Sequence, residues 1–121
     1  MRVFKNRAFS RFADKNDISD EDLWDAVQRA SRGLIDANLG AGVLKQRIPR
    51  RGEGKSGGFR SIIVFKERER AVFVHGFAKK DIGNISPREL KALKKLAGIL
   101  LAYSDPELAK VVKSGTLMEV K

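Results

Sequence analysis

Between residues 43 and 80 of this 121-residue chain, 11 lysines and arginines stand against 3 carboxylates. Lys45 and Arg47 alternate along one apolar run, Arg50, Arg51 and Lys55 punctuate a glycine-rich stretch, Arg60 opens the next apolar run, and Lys79 and Lys80 close the one after. Guanidinium forks bind phosphate oxygens in pairs and stabilise charge developing on them, while a lysine crowded by other cations gives up its proton more readily. Such a set can hold a phosphodiester and cleave it without a metal. The flanking segments carry 7 cations against 7 carboxylates (residues 1–42) and 7 against 5 (residues 81–121), so the formal charge of +10 is local. A field concentrated in this way attracts polyanions in a salt-dependent manner, which makes nucleic acid the first partner to consider. The plainer reading of the same charge is solubility, or an acidic protein partner.

Other chemistries fail on residue type or spacing. The absence of cysteine removes thiol catalysis, disulfides, iron–sulfur clusters and cysteine-based zinc sites. One histidine, His75, is too few for a two-histidine metal site or a histidine pair. Strand alternation places it on the face of Ala71, Phe73 and Phe77, which predicts a partly buried, satisfied imidazole rather than a general base. Gly54-Lys55-Ser56 hints at a phosphate-binding loop, but Pro49 stands where the pattern needs glycine and a strand follows where it needs a helix. Asp14 to Asp25 is no calcium loop, because Ile18 and Ser19 occupy the oxygen-ligand and glycine positions. Asp20, Glu21, Asp22 and Asp25 belong to a helix start, so paired-acid and two-metal chemistry lack a cluster. No cofactor or metal is implied.

The elements that must position the cations follow from periodicity. Arg2-Val3-Phe4 begins a strand, and Asn6 to Ala13 places Ala8, Phe9, Phe12 and Ala13 at helical spacing. A helix from Asp20 to about Ser31 has Ser19 before its acidic first turn and an apolar stripe of Leu23, Trp24, Val27, Ala30 and Leu34. Asn38 to Gly42 reads as a turn-rich break, Val43 to Ile48 as a strand, and the glycines from Gly52 to Gly58 as a loop. Phe59–Phe65 and Arg70–Phe77 are strong strand signals joined as a hairpin through Lys66 to Glu69. Ser86-Pro87-Arg88-Glu89 is a capping box with proline at the first helical position, and Leu90, Leu93, Leu96, Ala97, Leu100 and Leu101 follow as a core stripe. Ser104-Asp105-Pro106-Glu107 starts a final short helix ending near Gly115. Leu117 to Val120 fits a strand or a tail. A chain of this length with 42% apolar residues forms one domain, residues 1–121, without staples. No stretch approaches the ~18 apolar residues of a membrane span, and the basic start lacks an apolar continuation, so a soluble, unprocessed cytoplasmic protein is expected.

The motifs G-L-I-D-A-N-L-G-A-G-V-L-K-Q-R-I (Gly33 to Ile48), G-K-S-G-G-F-R-S-I (Gly54 to Ile62), H-G-F-A-K-K (His75 to Lys80) and N-I-S-P-R-E-L-K-A-L-K-K-L-A (Asn84 to Ala97) resemble the RelE/HigB branch of the RelE-like toxins of type II toxin–antitoxin systems. The resemblance implies an α+β fold, a small twisted, mainly antiparallel sheet with helices packed on one face. It further implies a ribosome-dependent endoribonuclease that cuts A-site codons of mRNA by metal-independent 2′-hydroxyl attack. By matched position it makes Lys55 the base or electrostatic activator, Arg60 the phosphate clamp, and Lys79 the leaving-group acid or second clamp. Lys45, Arg47, Arg50, Arg51, Lys80 and Phe77 become RNA-binding residues. The implied partners are a cognate antitoxin, the ribosome and mRNA, with operator DNA reached through the antitoxin. Many relatives stack a C-terminal tyrosine on the base; Tyr103 lies in or just after a leucine-rich helix, where packing is its expected role. The related ParE branch, whose members poison DNA gyrase without RNA cleavage, is the alternative, and plain nucleic-acid binding is a third.

Overall fold

A computed structural model describes residues 1–49, 58–78 and 85–121. Their elements run β1 (Arg2–Asn6), α1 (Arg7–Lys15), α2 (Asp20–Ser31), β2 (Ala37–Gly40), β3 (Val43–Ile48), β4 (Phe59–Lys66), β5 (Arg70–Ala78), α3 (Pro87–Ala102), α4 (Asp105–Lys113) and β6 (Leu117–Val120). The strands form one six-stranded sheet in the order β2-β3-β4-β5-β1-β6, in which only the β1–β5 pair is parallel. The α+β class and the mainly antiparallel sheet are as the sequence led us to expect.

The helices, however, divide between the two faces. In β5, Ala71 and Phe73 join a buried cluster with Phe9 and Ala13 of α1 and Leu23, Ala26 and Val27 of α2. Val72 and Val74 join another, with Ala97 and Leu100 of α3 and Leu108 of α4. Strands apolar on both sides, such as Ile62-Ile63-Val64, expose a greasy face unless each side is covered, and each fully buried aliphatic or phenyl group contributes roughly 1.5–3 kcal/mol. One layer of helices would have left half of that surface in water.

Helix ends are set by side chains that satisfy otherwise orphaned backbone groups. Ser19 with Asp22, Ser86 with Glu89 and Ser104 with Glu107 form reciprocal capping boxes, and Pro87 and Pro106 sit in the first turns of their helices. At the other ends, Arg70 donates from Nη1 to the carbonyls of Leu100 (2.8 Å) and Tyr103 (3.0 Å) beyond α3, and Arg7 donates from Nε to the Gly115 carbonyl (2.9 Å) after α4. Tyr103 packs half-buried against the α3/α4 cluster, as a packing role requires.

Two local readings are corrected and one left open is decided. Leu34 is 57% exposed and outside the α2 stripe, because the helix stops at Ser31 and Gly33 turns the chain through a left-handed φ of 80°. Part of the expected break at Asn38 to Gly42 is strand: Ala37–Gly40 pairs with β3 through an irregular register, and only Ala41-Gly42 turns. Gly42 has φ +82°, and a Cβ there would lie 2.9 Å from Leu101 of α3. Leu117–Val120 is a strand, paired antiparallel with β1.

Candidate functional site

Strand alternation decides which cations meet. On β3, Val43 faces the α3/α4 cluster while Ile48 faces the α1/α2 cluster, which puts Lys45 and Arg47 on the α3/α4 side. On β4, Phe59 and Ile63 face α1/α2 and Ile62 and Val64 face α3/α4, so Arg60 joins the latter side. The antiparallel register then sets Lys45 beside Ile62, Arg47 beside Arg60, and Arg60 beside Phe77 of β5. Lys45, Arg47, Arg60 and Phe77 thus occupy one face of three adjacent strands. This is the convergence that the alternation of Lys45 and Arg47, and of Arg60 with Ile62 and Val64, implies.

The back of β3 is pinned by polar contacts on the opposite face. The buried Gln46 amide donates from Nε2 to the carbonyls of Ala26 (2.9 Å) and Leu34 (3.0 Å), and its Oε1 accepts from the Arg47 N–H at 3.0 Å. Ser61 donates to the Gln46 carbonyl (3.1 Å), and Arg29 of α2 donates to the Arg47 carbonyl (2.8 Å). Each such bond adds roughly 1 kcal/mol net, but losing a partner would strand a buried polar group. They fix the backbone from which Lys45 and Arg47 project.

A residue not singled out from the sequence sits among the cations. Asp36, just before β2, donates its backbone N–H to the Lys45 carbonyl at 3.0 Å. Its Oδ2 accepts a 3.1 Å hydrogen bond from Arg60 Nε and lies 3.8 Å from Lys45 Nζ. The side chains of Asp36, Lys45 and Arg60 are 33%, 29% and 14% exposed, so the trio is open to a ligand without being fully solvated. Arg60 Nη1 leans on the Phe59 carbonyl at 3.4 Å. The only sequence signal for Asp36 was its place inside the first matched motif.

His75 differs from expectation. Ile62 pairs with His75 but Ile63 with Phe73, so Val74 is the extra residue of a β-bulge. The bulge shifts the alternation by one and moves His75 off the face of Ala71 and Phe73. It becomes exposed, on the side of Arg60 and Phe77, with its ring centroid 5.8 Å from that of Phe77. The Val74 carbonyl accepts from Asn6 Nδ2 (3.1 Å), while Asn6 Oδ1 caps α1 at Phe9 (2.8 Å). The same shift turns Gly76 toward α1, where a Cβ would come within 2.4 Å of the Phe12 ring.

Lys55, Arg50, Arg51, Lys79 and Lys80 lie outside the described residues. The segments that carry them join the sheet at Ile48, Phe59 and Ala78, which are neighbours in one row across β3, β4 and β5. Among the described residues no group of three or more His, Asp or Glu is arranged to hold a metal ion, and no helix is long and apolar enough to cross a membrane. A groove of about 480 Å3 is lined by Pro87, Leu90, Lys91, Lys94 and Lys95 of α3, none of which belongs to the Arg60 patch.

Chemically, the patch offers two guanidinium groups and an ammonium to phosphate oxygens, beside a phenyl ring on which a base can stack. No curated protein was found to match the chain. A family model described as the RelE toxin of the RelE / RelB toxin–antitoxin system matches residues 1–120, so the chain belongs to the RelE toxin family and has a cognate antitoxin as its implied partner.

Proposed function

We propose that this toxin is a ribosome-dependent endoribonuclease that cleaves mRNA codons in the A site without a metal and thereby stops translation in the cytoplasm. The observation that carries the reading is the Arg47–Arg60 register pair, with Lys45 and Phe77 on the same face. A solvated lysine surface has no reason to gather guanidinium groups and an aromatic ring on adjacent strands.

In this reading Arg60 clamps the scissile phosphate, and Lys45 and Arg47, joined by Arg50, Arg51 and Lys80, hold the neighbouring backbone. Phe77 stacks on a base. Lys55 draws the proton from the ribose 2′-hydroxyl, whose oxygen forms a bond to phosphorus as the bond from phosphorus to the 5′-oxygen breaks. Lys79 supplies the proton to that departing oxygen or acts as a second clamp. The products are a 2′,3′-cyclic phosphate and a 5′-hydroxyl, and no oxidant or water is consumed. The antitoxin silences the enzyme and carries the complex to operator DNA.

Primer extension on a translated message tests this reading. Cuts within codons that appear with the wild-type toxin and vanish with Lys55→Ala/Arg60→Ala are expected. Intact mRNA alongside accumulating DNA breaks would replace it with a ParE-like attack on gyrase, and normal translation with neither lesion would leave only a nucleic-acid binder.

A further inference from the structure

We infer that Asp36 is a positioning residue that sets the Arg60 guanidinium, and Lys45 beside it, in their working geometry before RNA arrives; its catalytic consequence rests on the endoribonuclease reading above. A surface evolved only to bind phosphate gains nothing from a carboxylate in its midst, since the negative charge opposes the ligand. Yet Asp36 Oδ2 reaches both cations, at 3.1 Å from Arg60 Nε and 3.8 Å from Lys45 Nζ. The carboxylate is itself held, because the Asp36 N–H is bonded to the Lys45 carbonyl at 3.0 Å. Its position is therefore fixed by the backbone that also carries one of its two cations.

The geometry explains what the contact achieves. Arg60 stands opposite Arg47, whose like charge pushes it away, and a long side chain without an anchor would swing out into solvent. Asp36 engages Nε, the guanidinium nitrogen nearest the backbone, and Nη1 rests on the Phe59 carbonyl. Among the described residues Nη2 has no partner, which leaves that edge of the fork for a phosphate oxygen. Catalysis depends on such pre-set geometry more steeply than binding does, so Asp36 trades some affinity for turnover.

The test uses toxin released from its antitoxin, with steady-state cleavage measured over a range of mRNA-programmed ribosome concentrations in excess of toxin, and the Arg60 Nε–Hε resonance followed by 15N NMR in the free protein. Asp36→Ala is expected to lower kcat about tenfold or more with KM unchanged or reduced, and to erase the dispersed Arg60 resonance. Asp36→Asn keeps an oxygen that can accept from Nε, and it restores most of the rate and the resonance. Wild-type kcat in Asp36→Ala, an equal loss in both variants, or an Arg60 resonance indifferent to Asp36→Ala would overturn the inference. If wild-type toxin cuts no mRNA, the endoribonuclease reading has failed, and the resonance alone still decides whether Asp36 sets Arg60.

Discussion

Arg60 lies directly opposite Arg47 across the β3–β4 ladder, a like-charge pair placed where sheets ordinarily put complementary or apolar partners. The arrangement costs stability, and the Asp36 carboxylate on Arg60 offsets part of that cost. Removing Arg60 takes away the repulsion and the compensating ion pair together. Arg60→Ala should therefore change unfolding free energy by no more than about 1 kcal/mol in urea titrations. Under the proposed mechanism, mRNA cleavage should fall by about 100-fold. A large stability loss would mean that Arg60 serves the fold.

Gly76 gives a packing prediction. A methyl group at this position would meet Phe12, whose ring is already held edge-on to Phe59 at 5.6 Å and close to Phe9 at 5.8 Å. Gly76→Ala should cost about 1–3 kcal/mol in chemical denaturation, and Phe12→Leu in the same chain should recover part of the loss by making room. Simple additivity of the two changes would argue against the contact.

Arg70 ties the β4–β5 hairpin to the end of α3 through two carbonyls. Arg70→Met keeps the apolar stem and removes the donors, so about 2 kcal/mol of destabilisation should follow from the exposed helix end. Hydrogen exchange should report it first in the amides of the last turn of α3.

Acid should weaken the fold through its glutamates. The paired hydrogen bonds from the Arg2 guanidinium hold Glu119 below the usual glutamate value of 4.5, and the capping-box bonds from Ser86 and Ser104 do the same for Glu89 and Glu107. These carboxylates bind protons more weakly folded than unfolded, so their contribution is complete above pH 4.5 and lost as pH falls through the depressed values. The melting temperature should decline on acidification below that point, and Glu119→Gln should make the decline shallower.

Local signals in the chain foretold local structure. The capping signals at Ser86 and Ser104, and Ser19 ahead of an acidic first turn, marked three helix starts because the bonds involved span only three residues. The alternation of Lys45, Arg47 and Arg60 was enough to place them on one face once β3 and β4 paired. What stayed hidden depends on distant partners. The strand character of Leu117–Val120 exists only through β1, and the reach of Asp36 to Arg60 crosses 24 residues. The exposure of His75 turns on one extra residue at Val74, which no periodicity in β5 announces. The roles of Lys55 and Lys79 rest on the family resemblance alone.

The place of β1 in the sheet has a consequence for the life of the chain. β1 precedes β5 and β6 in the chain, yet these are its two neighbours in the sheet, so both of its edges stay open until the segments from Arg70 to Val120 have been made. Closure between remote segments is slow and cooperative. A chain cut short before Arg70 thus leaves β1 with neither neighbour, and the sheet can be completed only once the residues up to Val120 are present.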